Sequence, residues 1–210
     1  MDMKFAKEGY PFIGFFAVVT ALSLLLGPLW IVLFPLVLTL FMAYFFRDPE
    51  REIPDGEGLI VAPADGKILV LQTIRETPYI NNEVLQISIF MSPLNVHVNR
   101  APCDGIVEKV IHTPGKFLSA FKPEASVQNE NITMTMSTIY GTILVRQIAG
   151  FIARRAVCRV APGEALRRGS RYGVIKFSSR VDIFLPPSTI PKVKLGDRVT
   201  AGETILGYIP

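Results

Sequence analysis

Two hydrophobic patterns divide the chain. No charged residue occurs between Glu8 and Arg47, a run that includes FFAVVTALSLLL and LWIVLFPLVLTLFMAYFF. From Gly56 onward the pattern becomes short alternating runs of β-branched and polar residues, broken by Gly, Pro and Asp. The first pattern suits lipid, where a helical span takes about 20 apolar residues. The second is how half-buried strands read.

Gly27-Pro28 interrupts the apolar run and breaks a helix there. The expectation is a helical hairpin over residues 11–26 and 29–46, with Pro35 kinking the second arm. A signal peptide has a shorter apolar core and a small-residue cleavage site, whereas this run continues into aromatics. A buried core hairpin is the other alternative, but side chains that are apolar all round suit lipid better. Lys4 and Lys7 precede the run, and Arg47 and Arg51 follow it. A hairpin therefore leaves both basic ends on the cytoplasmic side. The chain divides into an N-terminal membrane anchor, 1–50, and a domain, 51–210, held at the cell membrane on its cytoplasmic side.

In the second part, GLIVAPADGKILVLQTI, LQISIFMS, NVHVNRAP, GIVEKVIHTPG, NITMTMSTIYGTILVRQIAGFIA and GVIKFSSRVDIFLP read as strands joined by turns. FLSAFKPEASVQNE is the least strand-like stretch and reads as loop or short helix. Two internal echoes stand out. APADGKI (62–68) and APCDGIV (101–107) share a turn feeding a strand. PGEALRRGSRYGVI (162–175) and LGDRVTAGETILGYI (195–209) share a Gly-acid-x-apolar form that resembles the hairpins of lipoyl- and biotinyl-type domains. No lysine sits at a hairpin tip in the usual carrier context. The fold class expected is a β-dominated domain, all-β or α+β, with lipoyl-like hairpins, behind the membrane hairpin.

Composition narrows the function classes. Half of the residues are hydrophobic and the mean hydropathy is +0.37, too apolar for an ordinary soluble domain. A net charge of +4 suits an anionic membrane surface. No basic cluster is interleaved with aromatics, so no nucleic-acid partner is expected. Cys103 and Cys158 have no metal or redox spacing, and with only His97 and His112 available no structural metal site is expected.

The candidate chemistry lies in RRGSRYGVIKFSSRVDIF (167–184), which holds two serine pairs, Gly169-Ser170 and Ser178-Ser179, each followed by arginine. A serine can attack the preceding carbonyl and turn the amide into an ester. Elimination then leaves a dehydroalanine, which loses ammonia to become a pyruvoyl group. Such a ketone forms a Schiff base with an amine and accepts electrons from a breaking bond. Spacing alone does not choose between the two serines.

The ordered set APADG, IFMSPLNVHVNRAPCDG, HTPGKF, ASVQNEN and RYGVIKFSSRVDIFLP, behind a hairpin ending FFRDPER, resembles the phosphatidylserine decarboxylases in their short bacterial and archaeal form. The resemblance covers essentially the whole chain. It implies decarboxylation of phosphatidylserine to phosphatidylethanolamine by a covalent pyruvoyl cofactor. It places the processing serine at Ser179, where the family's preceding glycine is replaced by Ser178, and leaves Ser170 as a turn residue. Cleavage between 178 and 179 would give a large chain of 1–178 and a small chain of 179–210, which stay together as a heterodimer. It further implies catalytic parts for Asp65 and His97. The family's second histidine is replaced by Arg100, which cannot act as a base but can bind a carboxylate or phosphate. Asn99, Phe117 and Asn129, with Ala125 and Ser126, fall in motifs that line the substrate pocket. His112 and Asp104 read as turn or wall residues. Along an extended strand His97 and Asn99 share a face and Arg100 takes the other. Two rivals remain open at this point. One is an unprocessed membrane-bound domain binding lipid or a partner; the other is a pyruvoyl decarboxylase for another amino acid or amino-lipid.

Overall fold

The computed structural model describes residues 4–119, 121, 124–150, 155–176 and 179–210. The chain forms two compact units, residues 1–50 and 51–210.

The first unit is two helices, α1 (Tyr10–Leu26) and α2 (Leu29–Phe45), after a short 3-10 turn at Lys7–Gly9. They end where Gly27-Pro28 was expected to end them, and α2 runs as one helix through Pro35. Lys7–Leu26 is long and apolar enough to cross a membrane; α2 is a shorter apolar helix. Hydroxyls inside the run are satisfied locally, as an apolar surrounding requires. Thr20 Oγ1 and Thr39 Oγ1 each donate to the carbonyl one turn back, of Phe16 and Pro35 respectively, and lie 3.1 Å from each other. Leu25, Leu26, Leu29 and Trp30 are exposed.

The second unit is β-dominated. In chain order its elements are β1 (Leu59–Val61), β2 (Gly66–Glu76), β3 (Asn82–Met91), β4 (Val98–Arg100) and β5 (Gly105–Thr113), then the short helix α3 (Ala125–Gln128). There follow β6 (Asn131–Thr138), β7 (Gly141–Ala149), β8 (Arg155–Cys158), β9 (Ala165–Leu166), β10 (Arg171–Lys176) and β11 (Ser179–Leu185). The chain ends with β12 (Ile190–Pro191), β13 (Arg198–Val199) and β14 (Ile205–Tyr208). An eight-stranded antiparallel sheet has the order β13-β2-β3-β11-β7-β6-β5-β9, and two three-stranded sheets run β4-β10-β8 and β1-β14-β12. Strand β11 is central, with β3 and β7 on its flanks. One face of that sheet carries Ile87, Ile89, Met91, Val145, Val181 and Ile183 into the main core.

The echoes seen in the sequence are equivalent places in the fold. Gly196 N–H donates to Ile68 O and Ile68 N–H to Asp197 O; Gly163 N–H donates to Val107 O and Val107 N–H to Glu164 O. Gly202 N–H donates to Ala62 O as Gly169 N–H does to Ala101 O. These turns need glycine: Gly169 has φ 78° and Gly202 φ 80°, left-handed backbone that a Cβ resists. The two stretches are not hairpins closed on themselves, which corrects the lipoyl-like expectation. In the described pairings β9 joins β5 while β10 joins β4 and β8, and β13 joins β2 while β14 joins β1 and β12. Each stretch crosses from one sheet to another, because its two strands find better partners on different layers than in each other.

Candidate active site

Ser179 is the first residue of β11 and fully buried, paired in register with Met91 on one side and Ala149 on the other. Its hydroxyl points to the core face and reaches Met91 Sδ at 3.3 Å. A thioether is a weak acceptor, so the hydroxyl keeps most of its hydrogen-bonding capacity. The same sulfur lies 3.8 Å from Asn99 Nδ2. Asn99 Oδ1 accepts from Gln147 Nε2 at 2.8 Å. Gln147 stands opposite Val181 on β7, so Ser179, Met91, Asn99 and Gln147 form one buried polar group between the large sheet and β4-β10-β8. Their approach depends on Gly173 of β10, where a Cβ would lie 2.4 Å from Val157 O and 2.8 Å from Gln147 Nε2.

His97 immediately precedes β4 and is buried; Ile175 N–H of β10 donates to its carbonyl at 3.2 Å. Its ring is oriented by a local turn. Nδ1 lies 3.0 Å from Asn95 O, while Asn95 Oδ1 accepts from Ser92 N–H at 2.9 Å and from Ser92 Oγ at 2.8 Å. With Nδ1–H donating to a carbonyl, the neutral ring carries its lone pair on Nε2, the tautomer that can take and return a proton. Ser92 and Asn95 were missed as contributors, although the spacing Ser-Pro-x-Asn-x-His is visible in the sequence as a turn leading into a histidine.

The other expected residues divide into two groups. Asn129 belongs with Ser179 through the backbone. Its Nδ2 donates to Ala149 O at 2.7 Å and to Leu118 O at 2.8 Å, and its Oδ1 accepts from Leu118 N–H at 2.9 Å. It clamps the loop at 118 onto the strand that flanks Ser179, and Phe117 packs, partly buried, against the core. Asp65 and Arg100 instead serve the two related turns. Asp65 accepts from Ala201 N–H at 2.8 Å and from Arg51 Nη2 at 3.0 and 3.1 Å. Asp104 treats Arg168 N–H in the same way at 2.7 Å. Arg100 Nη1 donates to Gly169 O at 2.9 Å, on the side away from Asn99, as strand alternation requires. Pro63 O, in the loop that Asp65 anchors, accepts from Arg100 N–H at 2.9 Å. Ser170 lies in the turn below it, with N–H donating to Arg167 O and its carbonyl accepting from Ala101 N–H. His112 is on the surface, its Nε2 3.0 Å from Glu130 Oε1. Ser178 lies outside the described residues.

No thiol competes as a nucleophile. Burial pushes the Cys103 thiol up to about 12, with Asp104 adding to the shift and Arg168 opposing it. Burial likewise raises the Cys158 thiol, and Tyr172, fully buried, is held well above the usual phenol range. Among the described residues no cluster of His, Cys, Asp and Glu could hold a metal ion.

The surroundings of Ser179 fit a ketone made from the chain itself: the site is buried and, among the described residues, bordered by amide donors on Asn99 and Gln147. Comparison with known proteins points the same way. The family model for phosphatidylserine decarboxylase matches residues 38–207. A phosphatidylserine decarboxylase proenzyme of Desulfotalea psychrophila is 48% identical over 97% of this chain and 96% of its own. One of Pelobacter propionicus is 49% identical over the same shares, 97% and 96%. One of Chlorobaculum tepidum is 51% identical over 80% of this chain and 77% of its own. With its motifs, its buried serine and these matches along its length, the chain belongs to the phosphatidylserine decarboxylase family.

Proposed function

We propose that the processing serine of this decarboxylase is Ser179, and that the chain opens between Ser178 and Ser179 into fragments 1–178 and 179–210. The enzyme converts phosphatidylserine to phosphatidylethanolamine. One observation carries the choice of serine: Ser179 begins the central strand, buried beside a weak acceptor, whereas Ser170 is held in a turn that the fold repeats at Gly202-Glu203. In self-cleavage the Ser179 oxygen bonds to the carbonyl carbon of residue 178 as that carbon's bond to nitrogen breaks, leaving an ester and a free amine. Loss of the Cα proton expels the residue-178 carboxylate, and water then releases ammonia from the dehydroalanine.

A pyruvoyl ketone at position 179 supplies a carbonyl for the substrate's amine and a sink for the electrons of the breaking carboxylate bond. The chain's own residues do the rest. Asn99 and Gln147 orient that end of β11, and Met91 and Ala149 flank it in register. His97, with its lone pair directed by Asn95, is assigned the proton transfers, including protonation of the carbon that loses carbon dioxide. Asp65 is assigned a positioning part, since it anchors the loop whose Pro63 carbonyl holds β4. Asn129 and Phe117 hold the wall at residue 118. Arg100 would reach a substrate anion only by leaving Gly169, so its first part is to fix the turn.

The apolar run supports a membrane setting for this chemistry. We read α1 and α2 as a hairpin whose basic ends, Lys4, Lys7, Arg47 and Arg51, face the cytoplasm. Arg47 stacks 3.8 Å over the Tyr44 ring and donates to Tyr44 O, an arrangement suited to the headgroup level. Intact-mass measurement on the detergent-extracted protein tests the reading. Two fragments split at 178–179 are expected, one chain in Ser179→Ala, and unchanged cleavage in Ser170→Ala. A split at Gly169-Ser170 would move the site, and an uncut wild-type chain would leave a lipid-binding domain.

A further inference from the structure

Met91 closes β3, Ala149 closes β7 and Ser179 opens β11, so the three meet at one end of the large sheet. Side chains alternate between the faces, and the neighbours of Met91 and Ser179 point to the outer one. There Phe90 pairs in register with Arg180 on one side and with Lys67 of β2 on the other. This outer face is apolar and partly open. Phe121 stands edge-on to the Phe90 ring, with centroids 5.7 Å apart, and is 60% exposed. Leu195, in the turn that leads to β13, is 63% exposed. With Leu69 and Lys67 these side chains line a hollow of about 310 Å3. Leu94, in the turn that orients His97, is a third large apolar side chain exposed at this end of the sheet.

Scattered exposed leucines are ordinary, but a group of large apolar side chains around one hollow marks a contact with a protein or a membrane. The charges choose between the two. Lys67 borders the hollow, and Lys194 and Arg198, both exposed, flank its Leu195-Gly196 turn; Arg198 stands opposite Lys67 in register. Asp197, between them in the chain, already accepts from Lys194 N–H. The Lys67 stem passes over the turn, its Cε 3.6 Å from where a Cβ on Gly196 would stand. A stem so placed covers apolar surface while the ammonium stays at the rim. Apolar side chains that can enter hydrocarbon, ringed by cations that can meet phosphates, suit an anionic lipid surface.

We propose that this face is a second membrane contact, made by residues 51–210 themselves in addition to the apolar helices. Phe121 and Leu195 enter the interfacial layer of an anionic bilayer, and Lys67, Lys194 and Arg198 meet its phosphates. The contact turns the reacting end of the sheet toward the leaflet that holds the substrate, a consequence that rests on the Ser179 reading. The contact itself does not depend on cleavage.

The test uses the full chain reconstituted in vesicles of phosphatidylcholine and phosphatidylglycerol. A fluorophore is attached at Leu195→Cys, with Cys158→Ser removing the half-buried thiol, and in a second protein at Ile139→Cys. Ile139 is exposed in the turn between β6 and β7, at the other end of the sheet. Spin-labelled lipid should quench the label at 195 and not the label at 139. Quenching should fall in pure phosphatidylcholine and at high salt. Lys67→Gln should lower the ratio of docked to undocked chains about fivefold, the worth of one cation near an anionic surface. A Ser179→Ala chain, shown uncut by intact mass, should be quenched alike, so a failure of the Ser179 reading is distinguishable from a failure of docking. Leu195→Gln should slow turnover of phosphatidylserine in vesicles about fivefold or more, and leave turnover of monomeric dibutanoyl phosphatidylserine unchanged. An unquenched label at 195, or equal quenching at 195 and 139, overturns the proposal. So does self-quenching at 195 that follows protein density instead of spin-labelled lipid, which makes the face an interface between copies of this chain.

Discussion

Asp182 offers the sharpest test of how the central strand is held. It is fully buried and accepts from Arg180 Nε, Ser126 Oγ and Gln86 Nε2. Asp182→Ala removes the carboxylate hydrogen-bonded to a guanidinium that is itself 2% exposed. Removing one partner of a buried pair costs about 3–5 kcal/mol, because the remaining charge stays desolvated. At about 2–4 °C per kcal/mol for a chain of this size, Tm should fall by about 6–20 °C. The double variant Arg180→Met/Asp182→Leu restores volume without charge, and should unfold within about 2 kcal/mol of the parent. The comparison is made by circular dichroism on an uncut Ser179→Ala background, so that chain number is constant. A single variant within 1 kcal/mol (~) of the parent, or a double no more stable than the single, would refute a buried, mutually compensating pair.

Three further outcomes follow from the same geometry. Gly173→Ala should slow self-cleavage and destabilise the domain by about 1–3 kcal/mol, read by mass and by denaturant melts, since the new methyl meets Val157 O and Gln147 Nε2. Asn129→Asp sets a carboxylate oxygen against the carbonyls of Leu118 and Ala149, and should delay cleavage at neutral pH; its rate is followed by gel. Cys103 should resist iodoacetamide at pH 8 in the native protein, because a thiol raised to about 12 is protonated there. The stability it lends by staying a thiol is complete below about pH 9, where the unfolded chain is also protonated, and is lost as pH rises from 9 towards 12. Alkylation followed by peptide mass spectrometry, and melts between pH 8 and 11, check both statements.

The helices, most strands and the order of motifs were legible because each rests on local chemistry. A charge-free run with Gly27-Pro28 at its centre specifies two helices whatever surrounds it. Asp-Gly pairs mark the starts of β2 and β5, and the non-alternating stretch around ASVQNE contains the short helix α3. The repeated phrases signalled equivalent turns. They did not show that each stretch crosses between sheets, because strand partners are chosen by non-local pairing that periodicity does not encode.

The candidate site shows the same division. Sequence by itself named Ser179, His97 and Asn99, since these stand in ordered motifs whose residue types carry the chemistry. Only the tertiary structure set Met91 and Gln147 beside them, from strands distant in the chain, and gave Asp65 and Arg100 to the paired turns. Arg180 and Asp182 are two residues apart in an ordinary alternating strand, and nothing local marks them as a buried pair. Their meaning comes from which sheet face is covered, and that depends on Ser88, Ser126 and Gln86, brought from elsewhere in the chain by the register of β3 and the placement of α3. Local sequence fixes what a residue can do; burial and neighbours, which are collective properties of the packed chain, decide what it does.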